Sequence, residues 1–99
     1  MSEVFLKIFK DSKYTLVAVC DTGLIGETYR HGRLKLEIRP DFYKGVATTI
    51  QDALRAISSA DIANLAGNRI VDAAVNAGLV SPSAILRVAG IQHVQIVRL

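Results

Sequence analysis

Ser58–Gly78, SSADIANLAGNRIVDAAVNAG, is the stretch on which the reading of the whole chain turns. Ile62, Leu65, Ala66, Ile70, Ala73, Ala74 and Ala77 recur at the three- and four-residue spacing of one helical face, and Asp61, Asn68, Asp72 and Asn76 fall largely elsewhere. The spacing predicts a helix over 61–78 whose small residues let it lie close against a β-sheet. Asn64 and Gly67 both cost helix propensity inside that pattern, so a local need is expected there: a break that turns amide groups toward an anion, or a close helix contact. Gly67-Asn68 is where such a helix would kink or divide, and Gly78 before Leu79 has the form of a glycine C-cap.

Working outward, Thr49-Ile50-Gln51-Asp52 fits a capping box and predicts a helix over 48–58 with Ile50, Ala53, Leu54 and Ile57 as its inward stripe. Further upstream, Arg33-Leu34-Lys35-Leu36-Glu37-Ile38-Arg39 alternates without exception. It predicts a strand with Leu34, Leu36 and Ile38 toward the helices and Arg33, Lys35, Glu37 and Arg39 away from them. Pro40 stops that strand, and Asp41–Gly45 reads as a tight turn whose Phe42 and Tyr43 cover a core edge. Near the start, Val4, Leu6 and Ile8 alternate with Phe5, Lys7 and Phe9, then Asp11-Ser12-Lys13 turns the chain into a second β-branched run from Tyr14 to Asp21. After Ser81-Pro82, an N-cap with a first-turn proline, a short helix is expected to about Val88, and Gln92–Arg98 reads as a last strand.

These segments predict one domain over 1–99 of the α+β class. The expected architecture is a two-layer sandwich, in which a mainly antiparallel sheet of four or more strands (3–10, 14–21, 33–39 and 91–98) is backed by two to three helices. The apolar share of 51% is high for so short a chain and favours self-association or a permanent partner. The longest wholly apolar run, Leu16–Cys20, is far below the roughly 20 residues of a membrane helix. Glu3, Lys7 and Lys10 are foreign to a secretory leader, and a cytoplasmic protein is expected. A single cysteine, Cys20, excludes an internal disulfide and a thiolate metal site.

Val19-Cys20-Asp21, Leu24-Ile25-Gly26, Phe42-Tyr43-Lys44-Gly45, Asn64-Leu65-Ala66-Gly67 and the ending Gly90-Ile91-Gln92-His93-Val94-Gln95-Ile96-Val97 stand in that order over nearly the whole chain. Together they resemble the small archaeal family catalogued as domain of unknown function 424. The resemblance implies an archaeal cytoplasmic protein with an α+β fold. It also marks Asp21, Gly26, Phe42, Tyr43, Gly45, Asn64, Gly67, Gly90 and His93 as motif positions of unassigned role, and it brings no activity, ligand or catalytic residue. Where that family shows a proline before the histidine, this chain has Gln92.

Three kinds of chemistry can be weighed on these residues. Cys20, His93 and Asn64 are the residue types of a thiol nucleophile, its base and an orienting amide, although Asp21 beside Cys20 opposes an activated thiolate. No metal-ligand spacing or phosphate-loop pattern occurs, so neither a metal nor a cofactor is expected. The net charge is +3, and Arg30, Arg33, Lys35, Arg39 and Lys44, against Glu37 and Asp41, carry the whole excess within one segment. On the alternating strand Arg33, Lys35 and Arg39 would stand in one row on the same face, with Phe5, Phe9 and Lys7 beside them, a mixture suited to RNA or a ribonucleoprotein. The alternative is a homo-oligomeric or protein-protein module without nucleic acid, in which outward Phe5 and Phe9 mark the subunit interface. A small enzyme using Cys20 and His93 is the third reading.

Overall fold

A computed structural model describes residues 3–99 of the chain. Among them, eight strands and three helices follow one another as β1 (Val4–Lys10), β2 (Thr15–Asp21), β3 (Thr28–His31), β4 (Leu34–Glu37), α1 (Pro40–Tyr43), β5 (Val46–Thr48), α2 (Ile50–Ser59), β6 (Ile62–Ala66), α3 (Asn68–Asn76), β7 (Leu86–Val88) and β8 (Ile91–Val97). Six strands form one sheet in the order β5-β1-β2-β6-β8-β7, antiparallel throughout except for the parallel pair β2–β6, and β3 and β4 form a separate hairpin. The α+β class and the mainly antiparallel sheet are as expected.

The stretch that organises the chain does so differently from its periodicity. The expected helix over 61–78 is a strand and a helix: Ile62–Ala66 is β6, inside the sheet, and only Asn68–Asn76 is helical. β6 lies between β2 and β8 with Ala63, Leu65 and Ala66 fully buried, and a strand covered on both faces need not alternate, so its apolar residues match a helical period by chance. Gly67 makes the turn between the two. Its φ of 121° and ψ of 145° suit glycine, and a Cβ there would stand 2.5 Å from Asp21 Oδ2. Asp21 ends β2 and accepts hydrogen bonds from the backbone N–H groups of Arg69 (2.9 Å) and Ile70 (3.1 Å), so a neighbouring strand caps α3 from outside. At its other end α3 closes as foreseen: Gly78 N–H donates to the Val75 carbonyl and Leu79 N–H to the Ala74 carbonyl, the Schellman pairing.

Two apolar cores lie on opposite faces of the sheet. On one, Val17, Val19, Ala63, Leu65 and Val94 meet Ala53 and Ile57 of α2 and Ile70, Val71 and Ala74 of α3. The Thr49 hydroxyl accepts from Asp52 N–H at 3.2 Å, so the capping box starts α2 as read. On the other face, Ala18, Cys20, Ala66 and Val88 meet Leu36, Ile38 and Tyr43. The strand expected at 33–39 is therefore not a member of the main sheet. It is one arm of the β3–β4 hairpin, and Leu36 and Ile38 turn toward the second core, away from the helices, while Leu34 stays exposed. Strict alternation establishes that one face is buried but not which element buries it.

Two other segments differ from expectation. Pro82–Ala84 is a single 3₁₀ turn, with the Ser81 hydroxyl accepting from Ser83 N–H, and the chain then enters β7 instead of continuing as a helix to Val88. Ala89-Gly90 is a two-residue hairpin turn with both φ values positive, joining β7 to β8. α1 holds the hairpin to the sheet, and Gly45 follows it where a Cβ would stand 2.8 Å from Lys7 Cα. That close approach accounts for the glycine of the Phe42–Gly45 string.

Candidate functional site

Register places the side chains of the second sheet face in three rungs. Phe5, Cys20, Ala66, His93 and Leu86 form one, Lys7, Ala18, Asn64 and Gln95 the next, and Phe9, Leu16, Ile62 and Val97 the last. The hairpin and α1 roof the first rung, where Cys20 and Ala66 are fully buried, and leave the last rung open, where Val97 is 56% exposed. Cysteine, histidine and asparagine thus share a face, as a thiol site would require.

They do not make one. Cys20 has no exposed surface, and its thiol is pushed up to about 12 by burial and then by the Asp21 carboxylate. Cys20 and His93 are also two strands apart in one rung, about 9.5 Å by strand spacing. Burial pushes the Tyr43 phenol up to about 12, with the neighbouring Cys20 adding to it, so Tyr43 is neutral packing. Burial alone holds the His93 imidazole below its ordinary value. Asp21 is raised by burial, against the pull of the Arg69 and Ile70 N–H groups. Among the described residues no three His, Cys, Asp or Glu side chains cluster as metal ligands would.

An open groove of about 490 Å³ runs along the margin of the roof. Phe9, Leu36, Phe42, Tyr43 and His93 supply its apolar and aromatic wall, and Lys35, Glu37, Arg39 and Asp41 its charged rim. Phe9 and Phe42 stack with centroids 5.4 Å apart and planes at 21°, and Tyr43 meets Phe42 edge-on at 5.0 Å. Arg39 holds Asp41 through two bonds, Nε to Oδ1 at 3.1 Å and Nη2 to Oδ2 at 2.8 Å, which fixes the start of α1. Lys35 Nζ lies 3.8 Å from Glu37 Oε1, too far for a hydrogen bond.

The six residues expected to form a nucleic-acid surface are dispersed by this arrangement. Lys35, Arg39 and Phe9 meet at the groove. Arg33 lies in the turn between β3 and β4, since His31 pairs with Leu34. Lys7 donates to the Asp41 carbonyl at 2.7 Å and lies 5.3 Å from the Phe9 ring centroid, tying α1 to β1. Phe5 packs against the second core.

Arg30 was not among the expected contacts, yet it faces Lys35 directly across the hairpin, both exposed, on the side away from the buried Leu36. The signal was present: a two-residue turn at Gly32-Arg33 sets Arg30 opposite Lys35 by counting alone. Glu37 and Asp41 as groove residues had no sequence signal, because only the fold of α1 against β4 brings them together.

A family profile described as "Protein of unknown function (DUF424)" matches residues 9–99. No curated protein matches the chain. Among solved structures, the crystal structure of an uncharacterized conserved protein from Methanopyrus kandleri is similar, with a TM-score of 0.75 at 24% identity over 94% of this chain and 89% of that one. At that identity the likeness concerns the fold alone.

Proposed function

This chain belongs to the family of unknown function 424, which has no activity to transfer, and from its own geometry we propose a non-enzymatic accessory protein that binds RNA or a ribonucleoprotein. The observation that carries the reading is the Arg30–Lys35 pair, with Arg33 in the turn beyond it. Like charges directly opposite on a hairpin cost about 0.2–1 kcal/mol, and among the described residues neither Arg30 nor Arg33 has an acidic partner. A polyanion laid over the hairpin would turn that cost into attraction and release counterions. Taking helices and sheet as the two layers of a sandwich, the hairpin is the added part that meets the ligand, and the protein works in the cytoplasm of an archaeon.

The test is fluorescence anisotropy on single-stranded RNA across a salt series, comparing the native chain with Arg30→Ala/Arg33→Ala/Lys35→Ala. Each phosphate contact removed is expected to flatten the slope of log affinity against log salt by about 0.7. The triple variant is therefore expected to bind many-fold more weakly at low salt, with a melting temperature no lower than that of the native chain, since the like-charge pair is relieved. Equal affinity and equal slope in the two proteins would overturn the reading.

A protein-only module is the second reading. It is favoured by the open Phe9–Leu16–Ile62–Val97 rung and by Leu99, 72% exposed near its end. Its mark is a stable dimer in nuclease-treated protein by light scattering, with no affinity for RNA.

A further inference from the structure

We propose that the groove beside the hairpin seats one unpaired guanine of a single-stranded RNA, an inference that rests on the RNA reading and names its ligand more closely. The groove's volume, about 490 Å³, falls in the roughly 300–1,000 Å³ range of sites that enclose small organic groups. Its wall of Phe9, Leu36 and Phe42 is apolar, built around the stacked Phe9–Phe42 pair, and an unstacked base would pack along that aromatic pair. Lys35 stands at the rim, where a phosphate beside a seated base would run.

The acid on that rim specifies the base. A carboxylate beside phosphates is repulsive unless it meets donors. Asp41 is already held by Arg39 through both oxygens, whereas Glu37 is half exposed and its contact with Lys35, at 3.8 Å, is an ion pair without a hydrogen bond. Among the described residues neither Glu37 oxygen accepts a hydrogen bond, so both can still receive one. Guanine carries two adjacent N–H donors, N1 and the exocyclic N2, on its Watson–Crick edge, and these match the two oxygens of one carboxylate. Adenine and cytosine set an amino group beside a ring acceptor, and uracil flanks its single N–H with carbonyls that would face the carboxylate. The edge is free only when the base is unpaired, which selects a single strand over a duplex.

The proposal is tested by anisotropy with uracil octamers carrying one central guanine, adenine or cytosine, beside the all-uracil octamer, at about 50 mM salt. The guanine octamer is expected to bind about 5- to 150-fold more tightly than the others, the range of one bidentate base contact. Glu37→Gln is expected to bring the four octamers to nearly equal affinity at an unchanged melting temperature. Arg30→Ala/Arg33→Ala is expected to weaken all four alike and leave their ratio intact. Four octamers bound within twofold by the native chain, or a guanine preference that survives Glu37→Gln, would overturn the guanine site while leaving the RNA reading in place. No binding to any octamer would overturn both.

Discussion

Gly67→Ala is expected to destabilise the protein by about 1.5–5 kcal/mol, although it adds a single methyl group. Two contributions combine. The φ of 121° with ψ of 145° is a region that non-glycine residues enter at a cost of about 1–3 kcal/mol. The new Cβ would also stand 2.5 Å from Asp21 Oδ2 and closer still to Asp21 Cγ, so the carboxylate must leave the N–H groups of Arg69 and Ile70. Losing a helix N-cap costs about 0.5–2 kcal/mol. At about 4–8 °C per kcal/mol for a domain of this size, the melting temperature is expected to fall by about 6–40 °C in thermal unfolding followed by circular dichroism. Gly23→Ala is the control, because a Cβ there meets nothing within 4 Å. Asp21→Ala/Gly67→Ala is expected to cost less than the sum of its single changes, since the cap can be lost only once. A loss below about 1 kcal/mol for Gly67→Ala, or strict additivity in the pair, would refute the interlock between the end of β2 and the start of α3.

Two further outcomes are expected. His93 is held below its ordinary value of 6.5, so between its folded and unfolded values the unfolded chain carries a proton that the folded chain does not. Stability should therefore fall as pH drops through about 6.5 and level off below the folded value; urea unfolding at a series of pH values checks this, and the trend should flatten in His93→Gln. A native chain equally stable across that window would remove the desolvated imidazole. Cys20, without exposed surface and with its thiol pushed up to about 12, is expected to resist iodoacetamide at neutral pH until the protein is unfolded in urea. Rapid alkylation of folded protein, followed by mass spectrometry, would reopen the thiol reading.

The parts of the chain legible in sequence were those decided within a few residues. The hydroxyl of Thr49 three places before Asp52, the glycine at position 78 and the alternation of Val4, Leu6 and Phe5 each state a local geometry that the fold keeps. The candidate site was legible in composition only. The basic segment was visible, but Lys7 at the Asp41 carbonyl, Arg39 on Asp41 and Phe5 in the second core show three expected ligand contacts spent within or beside the fold.

By itself the sequence determined the α+β class, the N-cap of α2, the glycine C-cap of α3 and the charge of the 30–44 segment, because each depends on neighbours along the chain. Only the tertiary structure decided that Ile62–Ala66 is a strand, that Leu36 and Ile38 face a second core, and that Glu37 and Arg39 share a groove with Phe9 and His93. Those outcomes depend on which element covers which face, and an apolar side chain encodes the demand for burial without naming the partner that meets it.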